Sequence, residues 1–310
     1  MRALVISDMA ADPGAPGRGV FVRDQVAALR RLPGLEVELD EAPPGARALA
    51  ALAARCARRR GFDIVHAHYG LSAWPALAVR GARRVVTLHG SDLRHPRTRR
   101  ITLAALGRMD LAATASASLA REVPGAGTTR RVAVLPCGVS MERFRPIPRA
   151  EAREALGLPA AEPLLLFPAD PARAVKRFDR AREAAGDVRL ASLGAAPSSE
   201  VPLWINAANA VLVPSDAEGF GLAVLEALAC DVPVLATPVG VHAVALDGLA
   251  GTLCAPFDAA AWRDALRPHV AADDPRVAGR ARAALFSADR MAERVAIAWR
   301  DLASGVRARP

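Results

Sequence analysis

The chain has 310 residues, of which 52% are hydrophobic and 4% aromatic, so it is long enough to bury two domain cores. Residues 1–150 hold 24 arginines against 12 acidic residues (+12), whereas residues 151–310 hold 17 basic against 20 acidic residues (−3). No apolar run reaches the roughly 18 residues of a membrane span, no secretory leader precedes the first strand-like segment, and the cysteines are scattered. We therefore expect a cytoplasmic protein without a disulfide or zinc framework.

Short strand-like segments alternate with helical segments along the whole chain, which predicts parallel sheets with helices on both faces. The first series of predicted strands covers residues 3–7, 36–39, 64–67, 85–88, 111–115 and 132–135, with helices at 21–32 and 46–60. A proline-containing connector at 136–148 leads to a second series at 163–167, 188–192, 210–213, 232–236 and 251–254. The pattern predicts an α/β chain of two Rossmann-like domains, 1–145 and 146–287, followed by a C-terminal helix and tail at 288–310.

Two candidate ligand-binding features lie in the N-terminal half. The loop after the first predicted strand contains Gly17 and Gly19, which would let the backbone approach a diphosphate, although a flexible turn is the alternative. His89 follows the fourth predicted strand, where ligands of parallel sheets bind, although a structural histidine remains the alternative. His66 and His68 share one face of a predicted strand, but no third ligand stands near them, so we do not interpret them as a metal site.

Lys176 is the one lysine among 41 basic residues. A compact ammonium is not interchangeable with a guanidinium where a phosphate must be met, so its retention in an arginine-rich chain indicates a specific role. It follows the predicted strand 163–167, and we expect it to begin the next helix. A solvated surface lysine is the alternative interpretation.

The segment from Asp216 to Glu226 is the most informative part of the chain. Glu218 and Glu226 stand eight residues apart and enclose a Gly-Phe-Gly turn followed by an apolar run typical of a helix. Free N–H groups at a helix start suit a phosphate or a sugar hydroxyl, and the two carboxylates are expected on roughly one face. Two glutamates flanking an ordinary amphipathic helix would be the simpler explanation.

This segment resembles the signature of the family-4 retaining glycosyltransferases, also called glycosyl transferases group 1. The resemblance rests on Glu218-Gly219-Phe220-Gly221, on Glu226-Ala227-Leu228-Ala229-Cys230 with Pro233-Val234, and on Val86-Thr87-Leu88-His89-Gly90-Ser91-Asp92. It implies the GT-B architecture, in which an N-terminal acceptor domain and a C-terminal donor domain face an interdomain cleft and the last helix crosses back. Asp231 departs from the usual glycine, and Gly240-Val241-His242-Ala243 departs from the usual Gly-Gly and Pro-Glu, which leaves the donor base and sugar open.

The resemblance also implies residue roles. His89 and Glu218 would be the catalytic residues that contact the transferred sugar, and retention would follow from attack on the face that the diphosphate leaves. No metal is expected, because the sequence contains no Asp-x-Asp triplet, and no cofactor is expected; the donor would be a UDP-sugar or a GDP-sugar. The implied donor-binding residues are Gly17, Gly19, Arg173, Lys176, Gly219, Phe220, Gly221, Leu222 and Glu226.

The acceptor and partners follow from weaker signals. The basic N-terminal half and the cluster of Arg94, Arg97, Arg99 and Arg100 before Ile101 are suited to an anionic membrane surface, so we expect a peripheral position at its inner face and a saccharide or lipid-linked acceptor. A solvated arginine surface is an equal alternative. Nucleic acid is not expected, because no aromatic residues interleave with the arginines. The alternative functions are a non-catalytic GT-B subunit that binds a nucleotide sugar and a GT-B phosphorylase or epimerase.

Overall fold

The structure, a computed structural model, describes residues 1–12, 17–126, 132–194 and 196–305. These residues form two compact units, which we call the first unit (1–12, 18–126, 132–138 and 288–305) and the second unit (17, 139–194 and 196–287). The chain leaves the first unit between Gly138 and Val139 and returns to it between Ser287 and Ala288. The assignment of acceptor and donor roles to domains 1–145 and 146–287 stays a prediction.

The first unit is built on a six-stranded parallel sheet with the order β2-β1-β3-β4-β5-β6. Alternate residues of β1 enter two different cores, because Ala3 and Val5 pack on one face while Leu4 and Ile6 pack on the other. The strands are β1 (Arg2–Ser7), β2 (Glu36–Glu41), β3 (Ile64–His68), β4 (Arg83–Leu88), β5 (Leu111–Thr114) and β6 (Val132–Val134). The helices are α1 (Val20–Arg30), α2 (Ala46–Cys56), α3 (Ala73–Ala76), α4 (Ser91–Arg94), α5 (Pro96–Leu106), α6 (Ala117–Arg121) and, at the end of the chain, α14 (Ala288–Ala303).

The final helix α14 completes the core of the first unit. Its buried Met291, Val295 and Trp299 join the cluster that contains Val5 and Val26. A side chain at Gly138 would lie 2.6 Å from the Cα of Ala288, so the glycine lets the two segments of this unit pack in close contact.

The second unit is built on a five-stranded parallel sheet with the order β11-β10-β9-β7-β8. Its central strands are apolar and buried on both faces, as expected for a sheet covered by helices on each side. The strands are β7 (Leu164–Phe167), β8 (Arg189–Ser192), β9 (Ala210–Val213), β10 (Val234–Ala236) and β11 (Leu253–Cys254). The helices are α7 (Arg149–Ala155), α8 (Phe178–Ala185), α9 (Val201–Ala207), α10 (Leu222–Ala229), α11 (His242–Leu246), α12 (Ala259–Ala271) and α13 (Arg280–Ala284), and a 3-10 turn covers Ala174–Lys176.

The predicted α/β class with two parallel sheets is confirmed, and each predicted strand is present with its ends within two residues of those observed. The expectation that Lys176 begins a helix was wrong. Lys176 ends the 3-10 turn, and Arg177 then adopts a left-handed conformation (φ 57°) before α8 begins at Phe178. None of the described helices has the length and apolar character needed to cross a membrane.

Candidate functional site

The loop between β9 and α10 carries the glycine turn that the sequence singled out. Gly221 caps the N-terminus of α10 with φ 105°, a backbone conformation that residues other than glycine rarely adopt. Leu222, Ala223 and Glu226 are partly exposed on the helix, whereas Phe220 and Gly221 are buried. The first N–H groups of α10 therefore follow a turn that only glycine forms without strain.

Glu218 precedes the helix and is held by an ion pair. Nζ of Lys176 lies 2.7 Å from Oε1 and 2.7 Å from Oε2 of Glu218, and Oγ of Ser215 donates to Oε1 at 2.8 Å. Only 8% of the Glu218 side chain and 16% of the Lys176 side chain are exposed. The carboxylate therefore belongs to the loop before α10 and faces Lys176, while its expected position on roughly one face with Glu226 stays a prediction.

The environment of Glu218 keeps its carboxylate ionised. Burial raises the pKa of Glu218, but the positive charge and hydrogen bonds of Lys176, with a further hydrogen bond from Ser215, outweigh that effect and leave the pKa below its ordinary value. A buried carboxylate that stays charged can accept hydrogen bonds from neutral donors such as hydroxyl groups.

Asp216, in the loop of Glu218, contacts the 3-10 turn of Lys176 and two arginines that follow this turn. Asp216 donates its backbone N–H to the carbonyl of Val175 at 2.9 Å, and its carboxylate lies 3.2 Å from Arg177 and 2.8 Å from Arg180. Val175 and Arg177 flank Lys176, and Asp216 lies two residues before Glu218. These contacts therefore hold the turn of Lys176 against the loop of Glu218. They also explain why Arg177 is held in a left-handed conformation, which costs a non-glycine residue about 1–2 kcal/mol.

Among the described residues, the side chain of Arg173 makes no hydrogen bond or ion pair with Lys176 or Glu218. Its side chain is exposed, its backbone N–H donates to Asp170, and its carbonyl accepts from the N–H of Lys176 at 2.8 Å. Arg173, one of the residues predicted to bind the nucleotide-sugar donor, is therefore close to Lys176 in sequence, but its side chain does not contribute to the packing of the ion pair.

His242 is a part of this site that the sequence reasoning did not assign. Its Nδ1 lies 2.8 Å from the carbonyl of Thr237, and its Nε2 would lie 2.5 Å from a side-chain carbon at Gly221. Burial lowers the pKa of His242, and the nearby charge of Glu218 opposes that shift. The departure from the family pattern at Gly240-Val241-His242 was the one signal that could have indicated this residue.

The loop that carries His242 packs tightly on the glycine turn. Gly240 has φ 59°, and a side chain there would collide with the carbonyl of Phe220 and approach Cβ of Glu218. Val241 donates its N–H to the same Phe220 carbonyl at 2.7 Å. The second unit thus holds the Glu218 loop from two sides.

In the first unit, His89 ends a stack of three imidazole rings. His66 and His68 have ring centroids 4.7 Å apart, those of His68 and His89 are 5.2 Å apart, and Nδ1 of His68 lies 3.0 Å from Nε2 of His89. Phe21 and Tyr69 flank the ring of His89 with centroids at 4.8 Å and 4.7 Å. His66 and His68 do share a face of β3, and they lie fully inside the unit.

The stacked rings are neutral. Burial lowers the pKa of His68 to about 3, and burial together with the neighbouring imidazoles lowers the pKa of His66 and of His89 well below 6.5. Among the described residues, no group of three histidine, cysteine, aspartate or glutamate side chains is arranged to hold a metal ion.

The two predicted glycines of the first loop differ in environment. Gly19 caps α1 with φ 68°, and a side chain there would collide with the carbonyl of Met9. A side chain at Gly17 would meet nothing within 4 Å. Residues 13–16 of this loop lie outside the described residues.

Two parallel-sheet α/β units, with the Glu-Gly-Phe-Gly turn at the helix start after β9, define a GT-B type of protein. Solved structures support this class: sucrose-phosphate synthase from Thermosynechococcus elongatus aligns with a TM-score of 0.73 at 22% identity, covering 98% of this chain and 100% of that one. HepE of Anabaena in complex with UDP and glucose aligns with a TM-score of 0.71 at 14% identity, covering 95% of this chain and 98% of that one. At such identities the likeness shows the fold.

The sequence places the chain within a family. Residues 5–143 match the model of Glycosyltransferase Family 4, and residues 166–271 match that of Glycosyl transferases group 1. D-inositol 3-phosphate glycosyltransferase of Mycolicibacterium paratuberculosis is 30% identical over 336 residues, which cover 91% of this chain and 75% of the relative. The chain therefore belongs to the family-4 glycosyltransferases, and the predicted resemblance is confirmed.

The alignments do not cover the relatives completely. The enzyme of that name from Frankia alni is 31% identical over 267 residues, 66% of this chain and 65% of the relative, and the one from Mycobacterium avium is covered to 64%. The chain thus spans about two thirds of the length of these two relatives.

Proposed function

We propose that the protein is a retaining glycosyltransferase that moves a hexose-type sugar from a nucleoside diphosphate to an acceptor hydroxyl. The observation that carries the proposal is the contact of Lys176 with Glu218 directly before the N-terminus of α10. It combines, within one loop cluster, a buried carboxylate for a sugar hydroxyl and a cation for a diphosphate. Membership of the family supports the same reaction.

Lys176 is suited to stabilise the leaving diphosphate. An ammonium has three N–H donors, and the two short contacts to Glu218 account for two of them. The third can donate to a phosphate oxygen. The N–H groups at the start of α10 are suited to bind the same negatively charged diphosphate. Because negative charge grows on the diphosphate as its bond to the sugar breaks, donors fixed in advance lower the barrier.

The proposed reaction exchanges one glycosidic bond for another. The bond between the anomeric carbon and the diphosphate oxygen breaks, and that oxygen leaves with the bonding electron pair. The acceptor oxygen forms the new bond on the same face of the sugar and passes its proton to the leaving phosphate. No side-chain nucleophile is needed, and Glu218 would orient the sugar by accepting from one of its hydroxyls.

His89 would contact the transferred sugar as a neutral hydrogen-bond donor. The remaining predicted residues would complete the donor site: the glycine turn and Leu222 at the phosphates, Glu226 at the ribose hydroxyls, and the first loop over the diphosphate. They are Gly17, Gly19, Arg173, Gly219, Phe220, Gly221, Leu222 and Glu226.

The carboxylate can be tested without changing the size of its side chain. Glu218→Gln keeps the shape but removes the charge, and we expect kcat/KM for transfer to fall by about 100-fold or more. The matched control is Glu183→Gln, because Glu183 is an exposed glutamate on α8 in the same unit. We expect the control to transfer sugar at the wild-type rate.

The alternatives give different outcomes. A non-catalytic subunit would leave the activity of its complex unchanged by Glu218→Gln. An epimerase would turn over donor in the absence of any acceptor, and a phosphorylase would require inorganic phosphate. Any of these three results would replace the transferase proposal.

The donor is to be found by ligand-dependent stabilisation. HepE has been crystallised with UDP and with UDP-glucose, which supports testing uridine nucleotides first and guanosine nucleotides beside them. A donor at 100 times its Kd stabilises the folded protein by about 2.7 kcal/mol, so thermal-shift measurements with UDP-, GDP- and ADP-sugars separate them. No stabilisation by any of the three would contradict a donor site.

For the acceptor, we propose a phosphorylated or lipid-linked hydroxyl compound. The named relatives are D-inositol 3-phosphate glycosyltransferases, which supports a phosphorylated polyol as the first acceptor to test. A lipid-linked saccharide is supported by the basic first half of the chain. Assays with a soluble polyol phosphate and with an anionic lipid-linked acceptor distinguish the two.

The first unit carries a surface suited to an anionic membrane. Along α5, Arg97, Arg100, Ile101 and Ala104 are exposed with helical spacing, so they share one face. The exposed ring of Trp74 donates to the carbonyl of Ile101 at 3.2 Å. Exposed arginines can bind anionic headgroups, and the apolar groups beside them can enter the headgroup boundary.

Vesicle sedimentation tests this surface with two double variants of equal charge change. Arg97→Gln/Arg100→Gln removes two cations from α5, and we expect binding to anionic vesicles to weaken by about 2 kcal/mol, roughly 30-fold. The control Arg58→Gln/Arg80→Gln removes two exposed arginines elsewhere in the first unit. Equal weakening by both pairs would assign binding to net charge, and equal binding to neutral vesicles would rule out an anionic surface.

A further inference from the structure

The imidazole stack of the first unit contains two separate hydrogen-bonded segments, one through His66 and one from His68 to His89. Trp299 on α14 donates from its indole nitrogen to Nδ1 of His66 at 3.2 Å, across 233 positions of sequence. An indole N–H is a donor only, so Nδ1 of His66 must be the unprotonated nitrogen. The proton of the neutral His66 ring is therefore on Nε2, which donates to Oγ1 of Thr87 at 2.7 Å.

His68, next in the stack, is 1% exposed and has one hydrogen-bond partner among the described residues. Its Nδ1 lies 3.0 Å from Nε2 of His89, and its Nε2 is buried with no partner in the described part of the chain. Burial keeps the ring neutral, so it carries a single proton on one of these two nitrogens.

The two possible tautomers of His68 differ in whether the buried Nε2 carries an N–H donor or a lone pair without a partner. A proton on Nε2 would bury an N–H donor without an acceptor, whereas a proton on Nδ1 leaves only a lone pair unpaired. Orphaned buried donors are rarer in proteins than under-satisfied acceptors, which favours the proton on Nδ1. His68 then donates to Nε2 of His89.

We propose that His68 is a positioning residue that fixes His89 in the tautomer with its proton on Nδ1. Nε2 of His89 accepts from His68, so the single proton of the neutral ring must be on the other nitrogen. His89 is half-buried while His68 is buried, so the stack ends at the more accessible ring.

The consequence deepens the proposed function, on which it rests. His89 presents a neutral N–H donor, whereas the opposite tautomer would present a lone pair, which can accept from a hydroxyl but cannot donate to a sugar oxygen. A histidine held in the wrong tautomer loses its contribution to the transition state even when its ring stays in place. His68 contributes to catalysis through His89 and is itself buried beneath it.

Nitrogen NMR of the histidine-labelled wild-type protein reads the tautomer directly, because protonated and unprotonated ring nitrogens have well separated shifts. We expect His89 to carry its proton on Nδ1 and His66 on Nε2. Assignment uses His89→Gln and His66→Gln, which each remove one set of signals. A wild-type spectrum with the His89 proton on Nε2 would overturn the proposal without any variant.

Two substitutions of His68 separate hydrogen bonding from packing. His68→Asn keeps an amide N–H near the position of Nδ1, whereas His68→Leu fills similar space and cannot donate. We expect His68→Leu to populate the other tautomer of His89 and to lower kcat on the order of tenfold with little change in KM for the donor. We expect His68→Asn to retain both the tautomer and most of the rate, and the exposed His95→Asn serves as the control.

The outcomes separate this proposal from the proposed function. If Asn and Leu at position 68 give the same His89 tautomer as the wild type, His68 does not position it. If the tautomer changes with His68→Leu while transfer is unaffected, the assignment of the hydrogen bond stands and the catalytic role of His89 falls. Absence of transfer in the wild type would contradict the proposed function and leave the NMR result to decide the tautomer.

Discussion

The imidazole stack of the first unit and the ion pair of the second unit bury titratable side chains in opposite ways. In the first unit, His66, His68 and His89 are stacked without a counter-charge, and burial keeps them neutral. In the second unit, Lys176 and Glu218 are buried as ions that neutralise each other at 2.7 Å. Burial penalises charge in both places, so a buried group must either lose its charge or pair it. The two clusters should therefore respond differently to mutation and to pH.

The largest expected effect is on the ion pair. Lys176→Met leaves the Glu218 carboxylate buried without its cation, and breaking a buried pair from one side costs about 3 kcal/mol or more of unfolding free energy. Urea denaturation at pH 7 measures this loss. The double variant Lys176→Met/Glu218→Gln removes both charges and should recover most of it. A double variant as unstable as the single one would show that the charges are not what stabilises this loop.

The next effect is the pH dependence of the imidazole stack. Burial lowers the pKa of His68 to about 3 in the folded protein, against about 6.5 in an unfolded chain, so the unfolded state binds more protons between these values. The stability contributed by neutral His68 is present in full above pH 6.5. It decreases by about 1.4 kcal/mol per pH unit as the pH falls below that value, until the folded pKa is reached.

Substitutions of His68 and Glu218 show which residue causes this dependence of unfolding free energy on pH. His68→Asn should lower the slope of unfolding free energy against pH by about 1.4 kcal/mol per pH unit between about 6.5 and 4.5, because asparagine does not titrate, while His66 and His89 continue to contribute. The pKa of Glu218 is lowered from its ordinary 4.5, so its contribution is lost at lower pH, and Glu218→Gln should change the slope only below that value. An unchanged slope in His68→Asn would mean that His68 is not buried as a neutral ring.

The smallest of the three effects concerns the glycine turn beside the ion pair. Gly221→Ala forces a side chain into a left-handed conformation and against His242, whose Nε2 would lie 2.5 Å away. Gly248→Ala is the matched control, since Gly248 has φ 64° and nothing within 4 Å of an added side chain. The conformational strain costs each variant about 1 kcal/mol, and we expect Gly221→Ala to lose about 1 kcal/mol more. Equal losses, measured by thermal denaturation, would show that His242 moves away freely.

Local patterns were enough to predict the elements of the fold. Buried apolar runs such as Leu164–Phe167 and Ala210–Val213 are short, and they are followed by turns and helices, so they indicate parallel strands without any knowledge of their partners. The signature around Glu218 likewise lies within a single loop and helix. Its position could be predicted because every part of it is close in sequence.

Features that depend on distant residues could not be predicted. Trp299 reaches His66 from the opposite end of the chain, and no local pattern reports such a contact. The left-handed Arg177 depends on Asp216, far along the chain, and so the expected helix start at Lys176 was wrong. His242 was noticed only as a departure from the family pattern, since its burial comes from the loops that surround it.

One departure noted in the sequence has a physical explanation. Asp231, which replaces a usual glycine, has φ 57° at the end of α10. Aspartate tolerates this left-handed conformation better than most residues, and here its Oδ1 accepts the backbone N–H of Arg280 at 2.7 Å. The replacement therefore keeps the turn and adds a hydrogen bond that glycine cannot make.

The pairing of Lys176 has a practical consequence because the chain has no other lysine. Lysine labelled with a nitrogen isotope at Nζ would give a single side-chain resonance, and this resonance would originate from the ammonium held by Glu218. Amine-directed acylation would likewise have one side chain to modify, besides the chain terminus. In the purified protein, occupancy of the loop cluster could then be followed by one signal before its ligand is identified.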